Sequence, residues 1–289
     1  MRGEVTPGEA SLVRAAVLGS PIAHSLSPVL HRAGYAALGL TRWRYDRREV
    51  TADRLAEVVG DLGAEWRGLS LTMPLKEAAF AVAASVSEVA RRAGAINTLV
   101  RRGDGAWDAT NTDVAGIVAA LRGADHDGRG CVLGSGATAR SAVLALADLG
   151  VREVSIAARN PQAAADAVLL GERLGMRARA LPLADWVQDP ARLVISTVPP
   201  TASATVGGLL EGPGGGLPRE MTLLDVGYAD WPTPLARAVL AHGGAVVSGL
   251  DMLVHQAAAQ FALFTGYTAP VEAMMAAGRA ALGRSADLP

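Results

Sequence analysis

Lys76 lies in the stretch SLTMPLKEAA, residues 70–79, two positions after Pro74. Proline ends strands and opens helices, so this lysine is predicted at a strand-to-helix junction, where side chains face clefts. An ammonium there can give a proton to a substrate oxygen. The alternative is a solvated surface charge, the usual setting of a lysine. A second group is VLGSGATA at 132–139, with the pattern G-x-G-x-x-A through Gly134, Gly136 and Ala139. It follows an apolar strand and opens a helix, the context in which backbone N–H groups approach a pyrophosphate. Ser135, Ala137 and Thr138 complete that turn. An NAD site carries an Asp or Glu about 20 residues beyond the glycines. Here the next strand ends in AARN, with Arg159 and Asn160 in that place. A guanidinium suits a 2′-phosphate, so NADP(H) is the expected cofactor, an ordinary loop arginine being the alternative. A third group is LGSPIAHSLSPVLHRAGY, residues 18–35, where Ser25 and Ser27 precede a helix. Two hydroxyls at a helix start form an anion pocket or act as caps.

These residues need elements to hold them, and the chain supplies an alternation of strand and helix. Strands are predicted at 14–19, 42–50, 66–72, 130–133, 151–160, 191–200 and 221–228, with 42–50 alternating like an edge strand. Helices are predicted at 27–40, 51–63, 137–150 and 161–175, with Ser27 as N-cap of the first and Pro28 at its first position. Residues 88–102 pass from helix to strand, and GDGAW at 103–107 is a hairpin-like turn. The glycine-rich EGPGGGLP, 211–218, reads as a mobile loop. Strands separated by helices imply βαβ units and parallel sheets. The fold class is therefore α/β with two domains: an N-terminal α/β domain over 1–113 and a Rossmann-type parallel-sheet domain over 114–250. Helices of 251–289 return to the first domain, and residues 1–13 are a flexible tail.

Composition narrows the function classes. The chain has 289 residues, half of them apolar, 19% charged, with a formal net charge of −1. No basic footprint for nucleic acid is present. The single cysteine, Cys131, excludes an internal disulfide and a cysteine-cluster metal site, and it reads as a small buried apolar residue. The five histidines have no ligand spacing, so no metal is expected. No apolar run approaches the roughly 20 residues of a membrane span, and MRGEVTPGEASLVR lacks a signal-peptide core. A cytoplasmic protein acting on a small molecule is expected, with its oligomeric state, monomer or homodimer, left open.

The 18–35 run resembles the shikimate dehydrogenase family, whose pattern is close to G-x-P-I-x-H-S-x-S-P-x-x-H. Gly19, Pro21, Ile22, His24, Ser25, Ser27, Pro28 and His31 all match. LTMPLK, AGAINTLV (93–100), NTDVAG (111–116) and LDMLVHQAAAQF (250–261) resemble four further blocks, in order and at fitting spacing. The resemblance spans about residues 14–283 and implies a two-domain enzyme with its active site in the cleft. It implies NADPH-dependent interconversion of 3-dehydroshikimate and shikimate in aromatic amino-acid biosynthesis. Carried over position by position, Lys76 is the catalytic lysine and Asp113 its partner. Ser25 and Ser27 hold the substrate carboxylate. Ser70, Thr72, Asn97, Tyr228 and Gln256 bind the carboxylate or ring hydroxyls. Gly134, Ser135, Gly136, Ala137, Thr138, Arg159, Asn160, Thr197, Val198 and Gly249 fall on the cofactor side.

The chain departs from the family pattern at several places. Ser70 replaces an asparagine, Ala137 a second glycine and Ala163 a second basic residue, while STVPPT and YAD replace N-A-T-S and Y-N-P. These bear on cofactor affinity more than on substrate class. The rival readings are a quinate or aminoshikimate dehydrogenase of the same superfamily, a folate-type dehydrogenase, and a non-catalytic NADP-sensing protein. Serine at 27, where related enzymes acting on quinate carry threonine, favours shikimate. The Ser25/Ser27 pocket fits a small carboxylate rather than a folate, and a sensor has no need of Lys76 and Asp113 together.

Overall fold

A computed structural model describes residues 12–212, 216–218 and 220–283. The expected tail positions 1–11, and residues 213–215 within the expected mobile loop, lie outside those residues. The tail expectation over 1–13 is corrected at its end, because the first strand begins at Val13.

Two six-stranded sheets carry the fold. The first contains β1 (Val13–Gly19), β2 (Trp43–Glu49), β3 (Trp66–Leu71), β4 (Ser85–Val86), β5 (Thr98–Arg101) and β6 (Trp107–Thr110), in the order β2-β1-β3-β5-β6-β4. Helices α1 (Ser27–Ala37), α2 (Leu55–Gly60), α3 (Leu75–Ala78), α4 (Glu88–Ala93) and α5 (Asp113–Ala120) connect and flank it. The edge position of β2 agrees with its alternating pattern. The sheet is not wholly parallel, as strand–helix alternation had implied. β5 runs antiparallel to both β3 and β6. For the β5–β6 pair the reason is local: the two strands are joined by the 103–107 turn, closed by the Arg102 N–H to Ala106 O bond of 2.8 Å, and a tight hairpin can only be antiparallel.

The second sheet contains β7 (Arg129–Leu133), β8 (Glu153–Ala158), β9 (Arg177–Pro182), β10 (Leu193–Ser196), β11 (Thr222–Asp225) and β12 (Ala245–Ser248). Its order is β12-β11-β10-β7-β8-β9 and every pair is parallel. Helices α6 (Ala137–Asp148), α7 (Ala165–Arg173), α8 (Pro200–Gly208) and α9 (Pro234–Ala241) connect its strands. The strand order reverses between β7 and β10, so a crevice opens at the carboxyl ends of the strands, where doubly wound sheets bind ligands.

After β12 the chain enters α10 (Gly249–Thr265) and α11 (Val271–Ala281). Phe261 and Phe264 of α10 pack with Tyr35 of α1 and Tyr45 of β2 over the first sheet. Gly249 opens α10 against backbone: a Cβ there would lie 2.3 Å from Val226 O. Cys131 is fully buried, and burial pushes its thiol up. Among the described residues no helix is long and apolar enough to cross a membrane.

Candidate active site

Lys76 is the second residue of α3, just past the end of β3, so Pro74 does mark a strand-to-helix junction. Its Nζ donates to Asp113 Oδ2 at 2.6 Å and to Thr138 Oγ1 at 3.3 Å. The two charged side chains are 14% and 6% exposed. Asp113 is the first residue of α5, after Thr112 at the N-cap position, and the helix N-terminus favours its negative charge. Buried ion pairs are stable only when their remaining hydrogen-bonding capacity is filled. Here Asn97 Nδ2 donates to Asp113 Oδ1 at 2.8 Å, and the Asp113 N–H bonds Asn111 Oδ1 at 2.9 Å. Lys76 is thus a held cation in a cleft.

That cleft has a cavity of about 180 Å³. Ser25, Ser27, Ser70, Thr72, Tyr228 and Gln256 line it together with Lys76 and Asp113. Ile22, Val226, Met252 and Leu253 supply its apolar wall, and His24 also borders it. Ser27 is not the N-cap of α1, as had been expected. Leu26 holds that position and its carbonyl takes the Val29 and Leu30 N–H groups, so Ser27 is the first helical residue. Its hydroxyl makes no capping bond and lies 3.3 Å from Ser25 Oγ. Tyr228 reaches this wall from the second sheet's side: burial pushes its phenol up, against a smaller downward pull from the Leu26 backbone.

Asn97 does not line the cavity. It is 1% exposed and stands behind it, joining Thr98, Thr112, Asp113 and Gln256 through hydrogen bonds. Two further residues belong to the same network. Gln260 lines the cavity and accepts from Ser70 Oγ at 2.7 Å, and the Tyr45 hydroxyl donates to Ser70 Oγ at 2.6 Å. Neither was singled out from sequence. Gln260 follows Gln256 by four residues, the spacing of one helix face; Tyr45 carried no signal beyond its place on an alternating strand. His31, of the matching serine block, is fully buried and stacks on Tyr45 with centroids 4.0 Å apart. Burial pushes it down to about 3, against a smaller upward pull from Gln260. That approach falls short of hydrogen-bond geometry, and neither ring nitrogen is paired.

The glycine turn faces Lys76 from the other sheet. Gly134 has φ +116°, and a Cβ there would lie 2.4 Å from Thr197 Oγ1. Thr197 is held in place by bonding Leu133 O at 2.9 Å. Gly136 is the N-cap of α6, has no side-chain cap and nothing within 4 Å of its Cβ direction. The first-turn N–H groups of Ala137 and Thr138 are thus left for an anion. Arg159 follows β8 directly and is exposed beside Asn160, whose Oδ1 accepts the Gln162 N–H at 3.0 Å. An uncapped glycine-opened helix with a cation at the next strand end fits a phosphorylated dinucleotide. Ser135 lies inside this turn, and Gly249 and Thr138 border the cavity. Val198 differs: it is 9% exposed and packs into the core with Cys131 and Leu133. Arg140 of α6 ties the two sides together, bonding Ala93 O at 2.7 Å, Gly94 O at 3.1 Å and Glu77 Oε1 at 2.6 Å.

A glycine turn at the carboxyl edge of a doubly wound sheet, facing a lysine–carboxylate pair across a cleft, is the arrangement of a dinucleotide-dependent oxidoreductase. Comparison with known proteins specifies the class further. Residues 17–99 match the model of the shikimate dehydrogenase substrate binding domain, and residues 249–277 that of the shikimate 5'-dehydrogenase C-terminal domain. A shikimate dehydrogenase (NADP(+)) of Synechococcus sp. (strain JA-3-3Ab) is 34% identical over 286 residues, 94% of each chain. The crystal structure of Mycobacterium tuberculosis shikimate dehydrogenase is 48% identical, covers 93% of this chain and 99% of its own, and superposes with a TM-score of 0.83. Shikimate 5-dehydrogenase of Thermus thermophilus, solved in complex with NADP(H) and shikimate, is 34% identical over 94% of this chain and all of its own, with a TM-score of 0.76. The chain belongs to the shikimate dehydrogenase family.

Proposed function

We propose that this protein catalyses the reversible, NADPH-dependent reduction of 3-dehydroshikimate to shikimate, as a cytoplasmic enzyme of aromatic amino-acid biosynthesis. The observation that carries the reading is the buried Lys76–Asp113 pair sharing one cavity with the Ser25 and Ser27 hydroxyls. A carboxylate at the serines and a carbonyl oxygen at Lys76 place a small hydroxylated acid across the cleft. The first sheet and its helices, with α10, α11 and Tyr228, hold this substrate, and the second sheet with its glycine turn holds the cofactor.

When bound, NADPH supplies the hydride that the carbonyl carbon requires. Gly134, Ser135, Gly136, Ala137 and Thr138 would hold its pyrophosphate, and Arg159 its 2′-phosphate. Thr197 and Gly249 border the same side. Lys76 gives the proton to the carbonyl oxygen, and Asp113 keeps the ammonium aimed at it. In the oxidative direction the same pair takes the alcohol proton, with Lys76 entering that step as the neutral amine. Asn97 and Thr138 fix the pair from two sides, so the donor is already oriented before substrate arrives. Ser70, Thr72, Tyr228 and Gln256 bind ring hydroxyls or the carboxylate, and Ile22, Met252 and Leu253 keep water from the reacting face.

The test is a panel of shikimate, quinate and aminoshikimate, each with NADP and with NAD, followed by absorbance of the reduced cofactor. The expected outcome is the highest kcat/KM for shikimate with NADP. Turnover of quinate or aminoshikimate above that of shikimate would move the assignment to those enzymes. No turnover of any of the three would overturn it.

A further inference from the structure

The hydrogen bonds behind the cavity have a direction that can be worked out from acceptors that cannot donate. Gln260 Nε2 lies 3.1 Å from the Asn97 backbone carbonyl and 2.9 Å from Thr98 Oγ1. A carbonyl only accepts, so the nitrogen of the Gln260 amide must be on that side and its Oε1 must face Ser70. Oε1 only accepts, so Ser70 must spend its one proton on Gln260, at 2.7 Å. The Tyr45 hydroxyl, 2.6 Å from Ser70 Oγ, must then be the donor in that bond. Burial pushes the Tyr45 phenol up, which keeps its proton in place.

The same logic runs through Asn97. The Thr112 backbone N–H donates to Asn97 Oδ1 at 2.8 Å, which puts Asn97 Nδ2 against Asp113 Oδ1, Thr112 Oγ1 and Gln256 Oε1, at 2.8, 3.0 and 3.2 Å. Gln256 therefore keeps its NH2 group for the cleft. A hydroxyl oxygen has one proton and two lone pairs. At Ser70 the proton goes to Gln260 and one lone pair to Tyr45, which leaves a single lone pair toward the cavity.

We infer that Gln260 is a positioning residue that makes Ser70 a pure acceptor, so that the subsite between Ser70 and Gln256 selects a ring hydroxyl able to donate to Ser70. A keto oxygen, an ether or a fluorine at that ring position has no proton to give, and it would meet the Ser70 lone pair instead. This inference deepens the shikimate reading and rests on it. It also assigns a consequence to serine at position 70: its hydroxyl is polarised by a partner on α10, whereas a side-chain amide would offer the cleft both a donor and an acceptor.

The test measures binding by calorimetry, with kcat/KM alongside, for shikimate and for two analogues in which each non-reacting ring hydroxyl is replaced in turn by fluorine. In the wild type one analogue should bind weaker than shikimate by about 5- to 150-fold, the range for a buried acceptor left without its donor. In Gln260→Met the Ser70 proton is free to turn into the cavity, and this discrimination should fall to within about threefold. In Tyr45→Phe the Ser70 proton still goes to Gln260, so discrimination should persist. Ser70→Ala should abolish it. Loss of discrimination in Tyr45→Phe, or its retention in Gln260→Met or Ser70→Ala, overturns the inference. Should Gln260→Met not fold, Tyr45→Phe and Ser70→Ala decide by the same outcomes. Wild type that binds shikimate without discriminating against either analogue also overturns it, whereas wild type that does not bind shikimate defeats the parent reading.

Discussion

Lys76→Ala separates chemistry from binding. Lys76 is 14% exposed and donates to a carboxylate that is itself 6% exposed. Proton transfer to the carbonyl occurs in the transition state alone, so its loss acts on kcat. General acid catalysis is worth roughly 10²–10⁴ in rate, or about 3–5.5 kcal/mol of barrier. The carboxylate contacts proposed at Ser25 and Ser27 would bind ground state and transition state alike, so KM for shikimate should change far less. Stability should change as well. Breaking a buried pair costs about 3–5 kcal/mol when the partner charge is stranded. Asn97 and the α5 N-terminus still face Asp113 in the variant, which brings the expected cost to about 2–4 kcal/mol. The double variant Lys76→Met, Asp113→Asn strands no charge. It should recover most of that stability while staying as slow as the single variant, because the two groups act as a unit. The assays are steady-state kinetics on folded protein and thermal melts followed by circular dichroism. A Lys76→Ala enzyme within fivefold of wild-type turnover, or a double variant that melts as low as the single one, would refute the reasoning.

Three further outcomes are expected. Ser25→Ala and Ser27→Ala should each weaken shikimate binding about 10- to 150-fold, the range for a lost hydrogen bond to a charged group, and shikimate methyl ester should be a poor substrate; equal turnover of ester and acid would refute the assignment. Arg159→Ala should raise KM for NADP and leave that for NAD nearly unchanged, and because Ala163 takes the place of a second cation the wild-type preference should be modest; a variant with an unaltered NADP-to-NAD ratio would show that Arg159 does not meet the 2′-phosphate. Burial holds His31 down to about 3 from 6.5, so between those values the unfolded chain binds a proton that the folded chain does not. The stability in question is full above the unfolded value and is lost as pH falls below it, by about 2 kcal/mol between pH 7 and pH 5. Urea unfolding of His31→Phe, which keeps an aromatic ring beside Tyr45, should lack that component; equal losses in both proteins would contradict it.

Local signals in the sequence reached as far as single elements and their junctions. Pro74 placed Lys76 at the end of a strand, and the glycine spacing placed Gly134 and Gly136 at the start of α6. Neither reveals a partner: Asp113 is 37 residues from Lys76 in the chain, and only the ordered family blocks joined the two before the fold did. Alternation identified β2 as an edge strand but says nothing of where the Tyr45 hydroxyl ends, because periodicity reports a face and not a contact. Helical spacing puts Gln256 and Gln260 on one face of α10, yet their hydrogen-bond polarity depends on Asn97, just before β5, and on Thr98, its first residue. Ser27 was expected to cap α1, and Leu26 takes that place, since a serine whose hydroxyl turns to a cleft leaves the cap to backbone geometry. The hairpin-like turn at 103–107 gave the β5–β6 pairing, but the antiparallel pairing of β5 with β3 was hidden because strand–helix alternation describes order along the chain and not direction across a sheet. β9 and β12 went unread for a different reason. They are edge strands and neither has a fully buried residue: β9 mixes exposed and half-buried positions, and β12 is only four residues long.

The most direct test follows the hydride itself. Shikimate deuterated at the carbinol carbon that is oxidised is incubated with NADP and the wild-type protein, and the reduced cofactor is analysed by mass spectrometry. The expected result is one deuterium on each reduced cofactor, formed at a rate that collapses in Lys76→Ala although shikimate binding survives. Reduced cofactor without deuterium, or deuterium transfer at an undiminished rate in Lys76→Ala, would contradict a dehydrogenase that works through Lys76.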